Sequence, residues 1–147
     1  MKAIVNARII KDNSIFDGYT VLFEEKILRL MEGNALKGLE PEEVFDAAGR
    51  YLSPGFIDVH IHGCIGNDTM DDNESSLRNI SKAIAATGVT AILPTTMTMG
   101  FPMIEKSINR IRTLMDDAPG ASILGCHLEG PFISEEYKGA QDGKYIR

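Results

Sequence analysis

The chain is poor in the residues that mark several large classes of protein. It has only two cysteines, Cys64 and Cys126, and no signal-peptide pattern ahead of them. A disulfide framework is therefore not expected, and a reducing, cytoplasmic compartment is. No apolar run approaches the roughly 18 residues needed to cross a bilayer, so no membrane partner is expected. Lys/Arg-rich runs and basic stripes are also lacking, and the formal charge is -6. A nucleic-acid backbone would find little counter-charge here, which argues against nucleic acid as a partner.

What is present is an ordinary globular composition, with 44% hydrophobic and 24% charged residues over 147 positions. That length is close to one domain by the usual prior of roughly 100–200 residues. Residues 1–50 read as short strands. Ala3, Val5 and Ala7 alternate with polar neighbours, Ile9 and Ile10 lead into the turn-prone Lys11-Asp12-Asn13-Ser14, and residues 19–23 and 26–31 form further apolar runs. Such a pattern predicts small antiparallel sheets. The only helical tendency in this region is the acidic stretch 39–44.

From Tyr51 onward the rhythm becomes α/β. Residues 56–61 form an apolar run carrying Asp58 and His60, and a polar loop follows at 63–72. A helix fits 74–87, with Leu77, Ile80 and Ile84 on one face, Asp72 or Asn73 at its start and Gly88 at its end. A second strand is expected at 89–93, ended by Pro94. A second helix follows, with Pro102 in its first turn and Ile104, Ile108, Ile111 and Met115 at helical spacing. A third strand is expected at 121–128. Strand and helix alternating in this way imply a parallel sheet with right-handed crossovers. Three strands do not close a barrel of eight, which takes about 250 residues. The chain is therefore expected to be part of a larger enzyme.

Candidate chemistry begins with Pro54-Gly55-Phe56-Ile57-Asp58-Val59-His60-Ile61-His62-Gly63. Side chains two apart on a strand share a face, so His60 and His62 can enter one cavity and hold a divalent metal such as zinc or iron. Simple packing of two histidines is the alternative. On the third strand, strict alternation turns Ile123, Gly125, His127 and Glu129 inward and Cys126 and Leu128 outward. A carboxylate in that position needs a metal or a charged partner. His127, on the same face, is a candidate for orienting Glu129 or bound water, and Asp58 for orienting a histidine. The hydroxyls of Thr95, Thr96 and Thr98 can either line a pocket or cap the loop. Beyond Glu129, Lys138 and Gln141 lie in a polar loop able to meet a hydrophilic substrate.

Three segments together carry a resemblance: residues 54–63; Gly88-Val89-Thr90-Ala91-Ile92-Leu93-Pro94-Thr95; and Gly125-Cys126-His127-Leu128-Glu129-Gly130-Pro131-Phe132 followed by Lys138-Gly139-Ala140-Gln141. The chain resembles the N-acetylglucosamine-6-phosphate deacetylases of the amidohydrolase superfamily. The resemblance implies that residues 51–147 are the first three strand–helix units of a TIM (β/α)8 barrel, preceded at 1–50 by the N-terminal part of a small β-sandwich. It implies that Glu129 is the principal metal ligand and that His60 and His62 bind an additional ion where both are retained, giving one or two ions. It places Gln141 near the sugar. It further implies a homodimer acting on an amino-sugar phosphate, with two later metal-binding histidines and the catalytic aspartate beyond Arg147, so that the 147 residues alone would be inactive. Deacetylation of another amino-sugar phosphate, cyclic-amide hydrolysis and a non-catalytic assembly role remain open at this point.

Overall fold

A computed structural model describes residues 1–33, 36 and 38–147. The chain divides into two compact units, Met1–Pro54 and Gly55–Arg147.

The first unit is a five-stranded sheet. Strands β1 (Lys2–Lys11), β2 (Ser14–Phe23) and β3 (Ile27–Glu32) form an antiparallel meander. The turn between β1 and β2 puts both Asp12 and Asn13 at positive φ, 51° and 58°. A two-residue hairpin turn of that hand matches the strand twist, which is why the short polar pair works there. Alternation along β1 buries Ala3, Val5, Ala7 and Ile9. Ala7, Ile9 and Val21 form the centre of a small apolar cluster with Ile4, Phe16, Tyr19, Ala47 and Leu52 around it.

Two expectations for this unit are corrected. The sheet is mixed, because β4 (Glu43–Asp46) and β5 (Tyr51–Leu52) pair in parallel with β1. The acidic stretch 39–44 is not helical, and its last two residues open β4. Pairing with a strand some forty residues away outweighs the local helix propensity of the glutamates.

The second unit builds an α/β layer. Strand β6 (Phe56–Ile61) leads into a tight hairpin of β7 (Gly63–Cys64) and β8 (Asn67–Asp68), within the segment expected to be a loop. Helix α1 (Glu74–Ala85) follows, then β9 (Val89–Pro94), helix α2 (Phe101–Leu114) and β10 (Ser122–Ile123). The three main strands pair in parallel in the order β10-β9-β6. Asn73 caps α1, its side-chain oxygen accepting from the backbone N–H of Ser76 at 2.9 Å. This is the start of a (β/α) barrel, three parallel strands with two covering helices.

Its core joins both helices to the sheet through Ile61, Leu77, Ile80, Ile92, Ile111, Leu114, Ala121 and Ile123. The buried face of α2 is Ile104, Ser107, Ile111 and Leu114, whereas Ile108 and Met115 stay exposed. Ser107 takes an inward place because its hydroxyl donates to the carbonyl of Thr69 at 2.8 Å. A polar residue satisfied in this way does not show in an apolar pattern.

The third strand is also shorter than expected. Regular pairing ends at Ile123; beyond it the N–H groups of Leu124 and His127 still donate to the carbonyls of Ile92 and Pro94, and Thr95 and His127 form an isolated parallel bridge just past β9. Ile123 belongs to the core that joins helices and sheet, and Cys126 packs against that same core. Strict alternation from Ile123 to Glu129 therefore fails between those two positions.

Candidate metal centre

Strand β6 sets the first two groups. His60 and His62 are two apart on an extended backbone, and their rings reach the same side, with centroids 5.0 Å apart. Asp58 fixes the backbone beneath them, Oδ1 accepting from the N–H of His60 at 3.0 Å. Gly63 then turns the chain sharply. A Cβ there would stand 2.0 Å from the carbonyl oxygen of Asn67, so only glycine permits the hairpin directly after the second histidine.

Thr95, fully buried at the end of β9, ties this strand end to its neighbour. Its N–H donates to the carbonyl of Ile61 at 2.8 Å and its hydroxyl accepts from the N–H of Ile61 at 3.0 Å. Its carbonyl lies 3.2 Å from Nδ1 of His62. A carbonyl can only accept, so Nδ1 of His62 carries the proton and the lone pair of the neutral ring sits on Nε2.

Glu129 arrives from the segment that continues past β10, two residues after the His127 bridge. Its Oε2 lies 3.0 Å from Nε2 of His60 and 2.9 Å from Nε2 of His62, and the two ring nitrogens are 3.2 Å apart. Among the described residues, these three form the cluster of metal-ligating type. The electrostatics point to what belongs between them. In neutral His62 the Nε2 lone pair would face a carboxylate oxygen, which is repulsive. A cation seated between them turns that repulsion into attraction and takes all three groups as ligands at once. Ligands about 2.0–2.2 Å from one ion stand roughly 3.0–3.5 Å from each other, close to the spacing observed. Two imidazoles and a carboxylate suit zinc or iron, so the cluster fits a divalent metal.

The other candidates take different places. His127 presents its ring edge-on to His60 at 4.6 Å and its Nδ1 lies 2.9 Å from the carbonyl of Val59, so it buttresses the first histidine. Gln141 is 4% exposed, and its Nε2 donates to Oε1 of Glu129 at 2.6 Å. Thr95, Thr96 and Thr98 are all buried rather than lining an open pocket. Lys138 donates Nζ to the carbonyl of Gln141 at 2.9 Å. Cys64 and Cys126 are free thiols, and burial pushes that of Cys126 up from its ordinary value. The orienting contact of Thr95 with His62 was not foreseen. It is made by a backbone carbonyl, which leaves no mark in the identity of the residue.

The chain turns away after Glu129 at Gly130, whose φ is 75°. A Cβ at Gly130 would fall 1.9 Å from Oγ1 of Thr98. Glycine is thus required on both conformational and steric grounds where the carboxylate is delivered to the site.

Comparison with known proteins agrees with this geometry. Residues 51–146 match the model of the amidohydrolase family. N-acetylglucosamine-6-phosphate deacetylase of Vibrio furnissii is 40% identical over 97 residues, covering 65% of this chain and 24% of that protein. The protein of that name from Bacillus subtilis (strain 168) is 34% identical over 151 residues, covering 98% and 37%. The crystal structure of N-acetylglucosamine-6-phosphate deacetylase from Pasteurella multocida superposes with a TM-score of 0.86 at 28% identity, covering 99% of this chain and 38% of that one. The chain thus spans between a quarter and two-fifths of the length of these relatives. With three parallel strands bringing two histidines and a glutamate to one end, and this match across residues 51–146, the chain belongs to the amidohydrolase family.

Proposed function

We propose that the polypeptide carrying these residues hydrolyses the acetamide of N-acetyl-D-glucosamine 6-phosphate to D-glucosamine 6-phosphate and acetate. The observation that carries this reading is the convergence of His60, His62 and Glu129 on one point at the strand ends. The similarity to proteins named for this deacetylation supplies the substrate.

In this reading His60, His62 and Glu129 form the centre for zinc or iron; the resemblance gives Glu129 to the principal ion and His60 and His62 to an additional one, so the count is one or two. The ion supplies Lewis acidity for the amide carbonyl and the attacking water. The residues of this chain contribute charge and orientation. Glu129 brings a formal negative charge to the ion, Thr95 keeps the lone pair of His62 turned inward, and Asp58 and His127 fix His60 from its backbone and ring face. Moving the proton from water to the departing amine requires a general base, then a general acid. The family resemblance assigns that work to an aspartate outside these 147 residues, and gives the active species as a homodimer whose second protomer helps bind the phosphate. Two free cysteines fit a cytoplasmic setting.

The test is acetate release from N-acetylglucosamine 6-phosphate by the full-length polypeptide loaded with zinc or iron(II), beside a panel of other N-acetylated sugar phosphates and cyclic amides. Acetate release is expected, with kcat/KM lowered about 100-fold or more by Glu129→Gln. Hydrolysis of a cyclic amide in preference to the sugar phosphate would replace this reading.

A further inference from the structure

We infer that Gln141 is a positioning residue that makes Glu129 a one-oxygen metal ligand. This rests on the metal-centre reading above and extends it to the geometry of one carboxylate.

The amide of Gln141 has only one workable orientation. The backbone N–H of Thr98 donates to Oε1 at 2.8 Å, and since an N–H needs an acceptor, the oxygen must be on that side. The NH₂ group is thereby forced toward Glu129, where it donates to Oε1 at 2.6 Å, with the sulfur of Met97 at 3.7 Å on its flank. The glutamine is itself held from behind. Its N–H donates to the carbonyl of Lys138 at 3.1 Å, and Nζ of Lys138 donates to its carbonyl at 2.9 Å. Buried to all but 4% of its surface, it has little room to reorient.

The consequence falls on Glu129. Its two oxygens are made unequal. Oε1 is engaged by the amide, and Oε2 is directed at the Nε2 atoms of His60 and His62 at 3.0 and 2.9 Å. Oε1 keeps a second lone pair, but coordination through both oxygens would draw it away from its 2.6 Å bond and bring the positive end of a buried NH₂ dipole toward the cation. Hydrogen-bonded partners of this kind orient metal ligands, and their loss lowers metal affinity about 10–100-fold.

The test uses the 147-residue chain with Zn²⁺ as the probe, comparing wild type, Gln141→Met and Gln141→Asn. Methionine fills the space without donor or acceptor. Asparagine keeps the amide but is one methylene too short to hold both Thr98 and Glu129. Two readouts are followed: Zn²⁺ affinity by calorimetric competition, and the Glu129 carboxylate stretches in infrared difference spectra referenced to Glu129→Gln. Both variants should bind Zn²⁺ about 10–100-fold more weakly. The split between antisymmetric and symmetric stretches should narrow as both oxygens become free to share the ion. Unchanged affinity and an unchanged split in either folded variant overturn the inference, even if its melting temperature falls.

A separate measurement on the metal-free chain keeps failure of the metal reading distinct. The Gln141 side-chain amide protons should be widely separated in the proton spectrum and slow to exchange with solvent. If they resonate and exchange like those of an exposed glutamine, the positioning role is wrong whether or not Zn²⁺ binds. If they are protected but no Zn²⁺ binds at His60 and His62, the metal-centre reading fails and takes the coordination role of Gln141 with it.

Discussion

Thr95 shows how one buried residue carries several duties at once. Its hydroxyl accepts from the N–H of Ile61 while its carbonyl orients His62. Thr95→Val keeps the shape and removes only the hydroxyl, leaving a buried N–H without that acceptor. Urea denaturation should show a loss of about 1–3 kcal/mol. The histidine contact comes from the carbonyl and survives, so metal affinity should fall far less than in His62→Ala. Gly130 is a harder constraint, because a methyl there meets Thr98 at 1.9 Å on a backbone with φ of 75°. Gly130→Ala should cost about 2 kcal/mol or more in the same measurement. It should also weaken Zn²⁺ binding, since Thr98 supports Gln141 and Gln141 supports Glu129. Stability and metal binding both unchanged in Gly130→Ala would contradict the packing described.

Between the β7/β8 hairpin and α1, Asp71 ties loop to helix. Its Oδ2 accepts from the hydroxyl of Ser76 at 2.7 Å and from the N–H of Asp68 at 2.8 Å. These two bonds, the hydroxyl first, hold its pKa below the ordinary value of 3.8. A carboxylate depressed on folding contributes stability that is present above its unfolded pKa and lost as pH falls through the folded one. Wild type should therefore melt higher than Asp71→Asn above about pH 4, the ordinary carboxylate range, with the gap closing as the solution is acidified through the lowered pKa. A gap that persists unchanged into acid would show that the carboxylate charge is not its source. In α2, Ile111 is 1% exposed at the centre of the core, and Ile111→Ala should cost about 2–5 kcal/mol.

These elements also show what can be read from sequence. Both helices of the second unit were legible because apolar residues three and four apart need no partner to be recognised. The phase of α2 was not, since Ser107 lies inward for the sake of a hydrogen bond to a loop 38 positions away. Strand β4 escaped notice for the same reason. All four of its residues are exposed, and it is a strand because β1 lies beside it. The histidine pair was legible from its period of two. Glu129 was placed on the site side by an alternation that holds from Cys126 onward but not back to Ile123. The amide of Gln141, pointed at that carboxylate, depends on the path of a loop and no pattern encodes it.

The whole molecule is two units with separate cores, and the cluster of His60, His62 and Glu129 lies entirely within Gly55–Arg147. No helix among the described residues is long and apolar enough to cross a membrane. A ligand that binds only the folded form stabilises it in proportion to the logarithm of its concentration, about 2.7 kcal/mol at a hundred times Kd. Scanning calorimetry with and without Zn²⁺ should therefore raise the transition of the second unit. Where the two units melt separately, that of Met1–Pro54 should stay in place. An equal shift of both would point to binding away from the three ligands.

The most direct measurement is anomalous X-ray scattering at the zinc edge from a crystal of the chain grown with Zn²⁺. The account predicts a peak bonded to Nε2 of His60, Nε2 of His62 and Oε2 of Glu129, with Oε1 still on Gln141. Absence of a peak at that point from a zinc-saturated crystal, or a peak held by other residues alone, would contradict it.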